Sequence, residues 1–214
     1  MSLEKIRDVV IPRLKECRVV KVTLTGGEPF VHPNILEIVS ELRSANIGVG
    51  ICTNATNITK EQIDKIREIG EVHVNVSLDG FRPESHGMFR GDKSSFSKTI
   101  ENIRELGKQG LLRGILVTPN QLAEVKEYAE ICDFAAQNGA TYVLMNPLSS
   151  LGRGVATKNK FAKSDQAMLE IKAATKPYGS KVEVINIRFP NDEKLPLASC
   201  EAGNIIYVFV HGEV

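Results

Sequence analysis

The chain has 214 residues, of which 42% are apolar and 25% are charged, and its formal net charge is +1. This composition excludes a disordered chain, and the length allows one domain with a substantial core. The charge balance disfavours bulk nucleic acid or an anionic membrane as the main partner. No apolar run reaches the length of about 18 residues that a membrane span needs, and the N-terminal segment is charged where a signal peptide would be apolar. We therefore expect a cytoplasmic protein that binds neither nucleic acid nor membrane.

Short β-branched runs alternate with amphipathic segments along most of the chain. Strands are predicted at 19–25, 48–53, 72–78, 113–118 and 141–146. Helices are predicted at 3–16 and 164–175, and in the intervals that begin near Pro33, Thr59, Ser94 and Leu122. The alternation predicts a mostly parallel sheet, open or curved into a barrel, with both faces mostly apolar because helices cover them.

The C-terminal segment departs from this alternation. Lys181–Phe189 and Ile205–Val210 look like further strands, and the second of these runs into Gly212 like half of a β-hairpin. We therefore expect two units, a barrel-like unit over 1–176 and a smaller one over 177–214.

The four cysteines lie far apart in the sequence, at Cys17, Cys52, Cys132 and Cys200. They form neither a disulfide framework nor a C-x-x-C metal pair. Cys52 falls in a predicted strand and Cys132 on the apolar face of a predicted helix, so we expect both thiols to be buried.

Polar or flexible residues follow four of the predicted strands. They are Gly26, Gly27, Glu28 and Pro29 after the first, Thr53 and Asn54 after the second, Ser77 and Asp79 at the third, and Asn146 after the fifth. Because the carboxyl ends of parallel strands meet at one mouth, these groups converge on a site suited to a polar small molecule. A turn at Asp79 and a capping loop at Thr53–Asn54 are the alternatives for each motif alone, but the coincidence of all four favours binding.

The motifs at these strand ends resemble the core of radical S-adenosylmethionine (SAM) enzymes. The resemblance covers about residues 3–155 and rests on Thr25-Gly26-Gly27-Glu28-Pro29-Phe30, on Thr53-Asn54-Ala55-Thr56, and on Ser77-Leu78-Asp79-Gly80 followed by His86 and Arg90-Gly91. It implies a partial (β/α)6 TIM-like barrel with a [4Fe-4S] cluster that reductively cleaves SAM. The resulting 5′-deoxyadenosyl radical would modify a peptide or a cofactor precursor, with an electron donor as a further partner.

The same resemblance assigns roles to the strand-end residues. Gly26, Gly27, Glu28 and Pro29 would bind the methionine amino group of SAM, and Arg90 its carboxylate. The ribose and methionine region would be lined by Thr53, Asn54, Ser77 and Asp79. Asn146 lies on a loop that resembles the loop after the sixth strand in members that modify peptides or make cofactors.

The cluster-binding motif of the family is absent from the chain. Family members hold the cluster with three cysteines spaced C-x-x-x-C-x-x-C after the first strand, and here neither that loop nor that strand is found. We therefore expect a fragment of a longer parent, inactive by itself, holding no iron-bound cofactor. The missing strand predicts an exposed sheet edge and non-native association through it. Cys200 resembles the first cysteine of a SPASM-like extension, an auxiliary-cluster ligand in a longer parent.

Two other functions remain open. The chain could be a cluster-free barrel that binds a nucleotide-like ligand or a peptide partner. An ordinary barrel hydrolase or aldolase is disfavoured, because no metal-ligand set or Schiff-base lysine is found at a strand end.

Overall fold

Six parallel strands form one sheet in the computed structural model, which describes residues 1–148, 160–187, 189–190 and 207–209. The strands are β1 (Lys21–Leu24), β2 (Gly48–Thr53), β3 (Val72–Ser77), β4 (Leu112–Val117), β5 (Tyr142–Met145) and β6 (Glu183–Asn186). They lie in chain order across the sheet, so every carboxyl end reaches the same edge. The expected α/β fold is confirmed, and the strand pairs of this sheet are parallel.

Helices occupy the connections between the strands. The first, α1, consists of the successive pieces Leu3–Lys5, Ile6–Val10 and Ile11–Glu16. The others are α2 (Ile35–Ser44), α3 (Lys60–Ile69), α4 (Pro83–Gly87 continued by Met88–Arg90), α5 (Ser95–Lys108), α6 (Val125–Gln137) and α7 (Asp165–Thr175). Short 3-10 turns lie at Pro29–Val31 and Lys176–Ser180.

Local capping determines where two of these helices begin. Thr59 and Gln62 form the capping box expected at the start of α3. Glu124 and Glu127 cap α6 in the same reciprocal way, so that helix begins at Val125. Leu122, which the periodicity places in the helix, lies in the preceding turn and is 40% exposed.

Only one face of the sheet is apolar and fully covered, contrary to the expectation of two such faces. Along β3, Val72, Val74 and Val76 are buried, whereas the alternate residues are exposed or half-buried. The covered face packs on the helices and forms the core. The other face, here called the inner face, lacks this cover, as in the lumen of a partial barrel. Cys132 is fully buried as expected, but Cys52 lies on the inner face and is only half-buried.

The C-terminal predictions have mixed outcomes. The strand expected within Lys181–Phe189 is present as β6 and extends the sheet beside β5. Of the segment Ile205–Val210, the structure describes Tyr207–Phe209, which are exposed and form no strand because they have no pairing partner among the described residues. Cys200 lies outside the described residues. No helix in the described ranges is both long enough and apolar enough to cross a bilayer.

Candidate functional site

The backbone between β1 and the turn at Pro29–Val31 is bare at the carboxyl edge of the sheet. Gly26 has a φ of +132°, and a Cβ placed on Gly26 or Gly27 would meet no atom within 4 Å. A side chain is therefore disfavoured at Gly26 by conformation rather than by crowding. A ligand can therefore approach the peptide groups of Gly26 and Gly27 directly.

The Glu28 carboxylate connects the ends of β1 and β2. Its Oε1 accepts hydrogen bonds from the Thr53 hydroxyl at 2.6 Å and from the Phe30 amide at 3.2 Å. Its Oε2 accepts one from the Asn54 amide at 2.8 Å. A carboxylate has about four acceptor positions, so lone pairs remain for a cationic ligand group. Glu28 thus holds two strand ends together and keeps a negative charge at the edge.

The Thr53 and Asn54 side chains are engaged within their own loop. The Thr53 hydroxyl accepts from the Ala55 amide at 2.9 Å, and the Asn54 carbonyl oxygen accepts from the amide and hydroxyl of Thr56. Thr53 is buried, and Ala55 has a φ of +57°. These hydrogen bonds are those of a capping loop, and the backbone at Thr53–Asn54 lines the edge beside Glu28.

Asp79 is completely buried and lies at the centre of a hydrogen-bond hub. Its Oδ1 accepts from the Thr118 amide at 2.7 Å and its Oδ2 from Arg90 Nε at 2.5 Å. Its amide donates to His86 Nδ1 at 3.0 Å, and its carbonyl accepts from Asn120 Nδ2 at 2.7 Å. The resemblance assigns Asp79 to the ribose and methionine region. In this structure its carboxylate is fully buried and holds Arg90 in position.

His86 is neutral within this hub. Burial lowers the pKa of its imidazole from 6.5 to about 4, although Asp79 acts in the opposite direction. A neutral ring can accept the Asp79 amide hydrogen bond at Nδ1, which a protonated ring cannot. The hub therefore requires the uncharged imidazole.

Three further predicted residues lie at the same edge with unused polar groups. Arg90 is about one-third exposed, so part of its guanidinium reaches beyond the hub. Ser77 is half-buried at the end of β3, and no hydrogen bond of its hydroxyl is found to the described residues. The side-chain oxygen of Asn146 is buried and has no partner in the described part of the chain. Such an orphaned oxygen can accept a hydrogen bond from a ligand.

The end of β4 contributes residues that the sequence interpretation missed. Asn120 is fully buried, donates to Asp79 as described above, and binds the Tyr128 hydroxyl through its amide at 2.9 Å. Glu127, also buried, accepts from the Phe81 amide and the Ser85 hydroxyl and holds the loop after β3 against α6. The sequence could have indicated Asn120, because Thr118 and Asn120 are polar residues that follow a predicted strand, as at the other four strand ends.

The residues that the structure describes do not fit an iron–sulfur cluster. No group of three or more metal-ligating side chains is found in the described residues. Cys17 is exposed on the turn after α1, Cys52 lies on the inner face, and Cys132 is buried in α6, where burial raises its pKa to about 12. A thiolate at such a site is strongly disfavoured.

The fold and the strand-end residues together define a barrel-like α/β protein with a candidate ligand site at the strand carboxyl ends. The family model described as the Radical SAM superfamily matches residues 1–135. The chain belongs to the radical SAM superfamily.

Two curated relatives show the range of the family. The chain is 32% identical over 131 residues to an AdoMet-dependent heme synthase of Methanosarcina barkeri, covering 61% of this chain and 37% of that protein. It is 30% identical over 157 residues to the mycofactocin maturase MftC of Mycobacterium tuberculosis, covering 72% of this chain and 39% of that protein. The chain thus spans less than half the length of either relative.

A solved structure supports the fold. The chain superposes on Streptococcus suis SuiB bound to the precursor peptide SuiA with a TM-score of 0.66, at 16% identity, over 83% of this chain and 41% of that one. At this identity the likeness concerns the fold alone.

Proposed function

We propose that the chain is the core of a radical SAM enzyme, and that the carboxyl edge of β1–β5 binds SAM. In the parent, reductive cleavage at a [4Fe-4S] cluster would generate a 5′-deoxyadenosyl radical that modifies a peptide or a cofactor precursor. The observation that carries the proposal is the set of hydrogen bonds from Thr53 and Asn54 to the Glu28 carboxylate, here called the Glu28 bracket. This bracket keeps a carboxylate beside the open Gly26–Gly27 backbone, in the motif that matches the family.

Each residue of the edge has a role that its position supports. The Gly26 and Gly27 peptide groups and the Glu28 charge would receive the methionine ammonium of SAM, with Pro29 fixing the turn behind them. Arg90, held by Asp79, would bind the methionine carboxylate. Ser77, Asn146 and the backbone at Thr53–Asn54 would meet the ribose and adenine. When bound, SAM supplies the sulfonium whose cleavage starts the radical chemistry.

We propose that the 214-residue chain by itself does not assemble the primary cluster. Its four cysteines lack the C-x-x-x-C-x-x-C spacing, and the three described ones lie in different parts of the fold. Cys200 would serve as an auxiliary-cluster ligand only in a longer parent, in the segment 177–214, of which β6 extends the sheet of the barrel unit 1–176. Anaerobic reconstitution with iron and sulfide followed by absorbance tests this statement. A stoichiometric cluster with SAM cleavage would contradict it.

A peptide is the substrate that the relatives favour. MftC is a maturase, and SuiB was solved with its precursor peptide. A small-molecule substrate is supported by the heme synthase relative. We place the peptide first because the match to the maturase covers more of this chain.

Calorimetry with S-adenosylhomocysteine tests the SAM site without requiring iron. We expect measurable but weak binding, because the family's affinity depends partly on chelation to iron. Arg90→Ala should weaken binding about tenfold through loss of a charge-assisted carboxylate contact. Arg67→Ala, which removes an exposed arginine of α3, is the matched control and should bind like the native chain.

Two outcomes of this titration would contradict the proposal. No binding at millimolar ligand would mean that the strand-end edge is not a SAM site. Submicromolar binding without any cluster would favour the alternative, a cluster-free barrel that binds a nucleotide-like ligand.

A further inference from the structure

The inner face of the sheet has a row of polar side chains below the candidate SAM edge. We call five of them the floor: Lys21, Cys52, His73, Asn75 and Tyr142. They come from β1, β2, β3 and β5. The strand register pairs Cys52 with Asn75, and it pairs the other three with glycines of neighbouring strands. None of these side chains is used in the SAM site proposed above.

Lys21 lies across the inner face of β2. Gly50 has no side chain there, and a Cβ on Gly50 would lie 3.6 Å from Lys21 Cε. Gly50 is also the register partner of His73. The lysine stem therefore runs over Gly50 toward His73, and its ammonium is directed to the middle of the floor.

Tyr142 lies across the sheet from the opposite side. A Cβ on Gly114 would come within 2.5 Å of the Tyr142 ring, so the ring occupies the space that this glycine leaves free. The Tyr142 hydroxyl donates to Asn75 Oδ1 at 2.8 Å. Asn75 Nδ2 in turn contacts Cys52 Sγ at 3.8 Å, and its second proton has no partner in the described residues.

Glycine within a strand weakens it and often marks the close approach of a ligand. Because Gly50 and Gly114 have no side chains, the side chains of Lys21 and Tyr142 can lie flat on the inner face, on either side of β3. The result is a shallow polar surface with hydrogen-bond donors directed at its centre.

The ammonium of Lys21 is the one charge among the five floor residues. Burial lowers the pKa of His73, with Lys21 and Arg113 acting in the same direction, so this imidazole is neutral. Burial raises the pKa of both Cys52 and Tyr142, which keeps the thiol and the phenol uncharged. The exposed Glu183 lies beside Tyr142 as its register partner on β6, and no ion pair of Lys21 with a carboxylate is found in the described part of the chain.

We propose that the floor is a second ligand site, which binds a carboxylate of the substrate through the Lys21 ammonium and the free amide proton of Asn75. An unpaired cation beside an available N–H donor on an uncovered polar surface is a carboxylate-binding arrangement. That the bound carboxylate belongs to a substrate rests on the proposed function. The binding itself requires neither SAM nor iron.

The carboxylate can come from an acidic side chain, from a peptide C-terminus or from a small molecule. Four probes distinguish these sources: acetyl-Ala-Glu-Ala-amide, acetyl-Ala-Ala-Ala with a free C-terminus, succinate, and acetyl-Ala-Gln-Ala-amide as the neutral control. Binding is followed by NMR at about pH 8, where imidazoles are neutral. The resonances observed are the His73 ring and the Asn75 side-chain amide.

We expect saturable shifts of these resonances with at least one carboxylate probe and none with the glutamine peptide. The strongest carboxylate probe identifies the source. Lys21→Met, an exposed position, should weaken binding at least about tenfold. Lys98→Met, at an exposed lysine of α5 on the covered side of the sheet, is the matched control and should leave binding unchanged.

Asn75→Asp is a second, nearly isosteric variant. It keeps an acceptor for the Tyr142 hydroxyl but adds a negative charge, so it should abolish carboxylate binding. Absence of saturable shifts with every carboxylate probe, equal binding in Lys21→Met, or tighter binding in Asn75→Asp would each overturn the proposal. Failure of the SAM site would appear instead as loss of S-adenosylhomocysteine binding with the floor titration intact.

Discussion

Asp79 and His86 show how one buried residue pair organises the strand ends. The Asp79 carboxylate receives Arg90 and the Thr118 amide, while its own amide uses the lone pair of His86 Nδ1. Buried polar groups of this kind stabilise only when all are satisfied. The protonation state of His86 therefore decides whether the hub is intact.

Folding stability should fall in acid because of His86. Its folded pKa is about 4 and its ordinary value 6.5, so the unfolded chain binds more protons between these pH values. The stabilisation is complete above the ordinary value and is lost as the pH falls toward the folded one. Between about pH 7.5 and pH 5 we expect a loss of roughly 2 kcal/mol in the free energy of unfolding.

The pH-dependent part of the free energy of unfolding is measured by chemical denaturation at a series of pH values. The native chain is compared with His86→Gln. The variant should be less stable at neutral pH, with a shallower dependence on pH. His73→Gln removes a more exposed imidazole whose pKa burial also lowers, but less strongly, so it should flatten the pH dependence by a smaller amount. Parallel curves for the native chain and His86→Gln would show that the hub does not depend on a neutral imidazole.

At the scale of elements, Glu28 is the connection between β1 and β2. β1 is a four-residue strand at the sheet edge and, among the described residues, pairs with a strand on one side only, so contacts at its end matter to its stability. Three donors from the chain converge on this one carboxylate. Two of them come from the end of β2.

Glu28→Ala should lower the free energy of unfolding by about 2–4 kcal/mol, because charge-assisted hydrogen bonds are lost and the buried Thr53 hydroxyl loses an acceptor. Urea denaturation measures the change. Glu37→Ala, at an exposed position in the first turn of α2, should alter stability by about 0.5 kcal/mol or less. Similar values for the two variants would mean that the bracket is not structurally important.

At the scale of the whole molecule, the outer edge of the sheet at β1 has no partner strand in the described chain. Val20 immediately before it is 81% exposed. Unpaired backbone groups beside an exposed apolar residue are a template for association. Lys21 and the shortness of β1 limit this tendency without removing it.

Light scattering over a concentration series should show association of the native chain. Val20→Lys should reduce it, because a charge at the strand edge opposes pairing with another copy. Val31→Lys is the matched control, since Val31 is 65% exposed but lies in the turn after β1. A native chain that stays monomeric at all concentrations, or an equal effect of both variants, would contradict association through this edge.

The alternation of β-branched runs and amphipathic helices was enough to predict the parallel sheet, and with it the shared edge where Gly27, Glu28, Thr53, Ser77 and Asn146 lie. That inference needs only local periodicity and the rule that parallel strands end at one edge. The partners of these side chains depended on tertiary structure. Asp79 meets a guanidinium 11 residues away and an amide 39 residues away, and no local pattern specifies such pairs. The polar inner face was likewise settled by packing, because a period of two separates the faces of a strand without saying which one the helices cover.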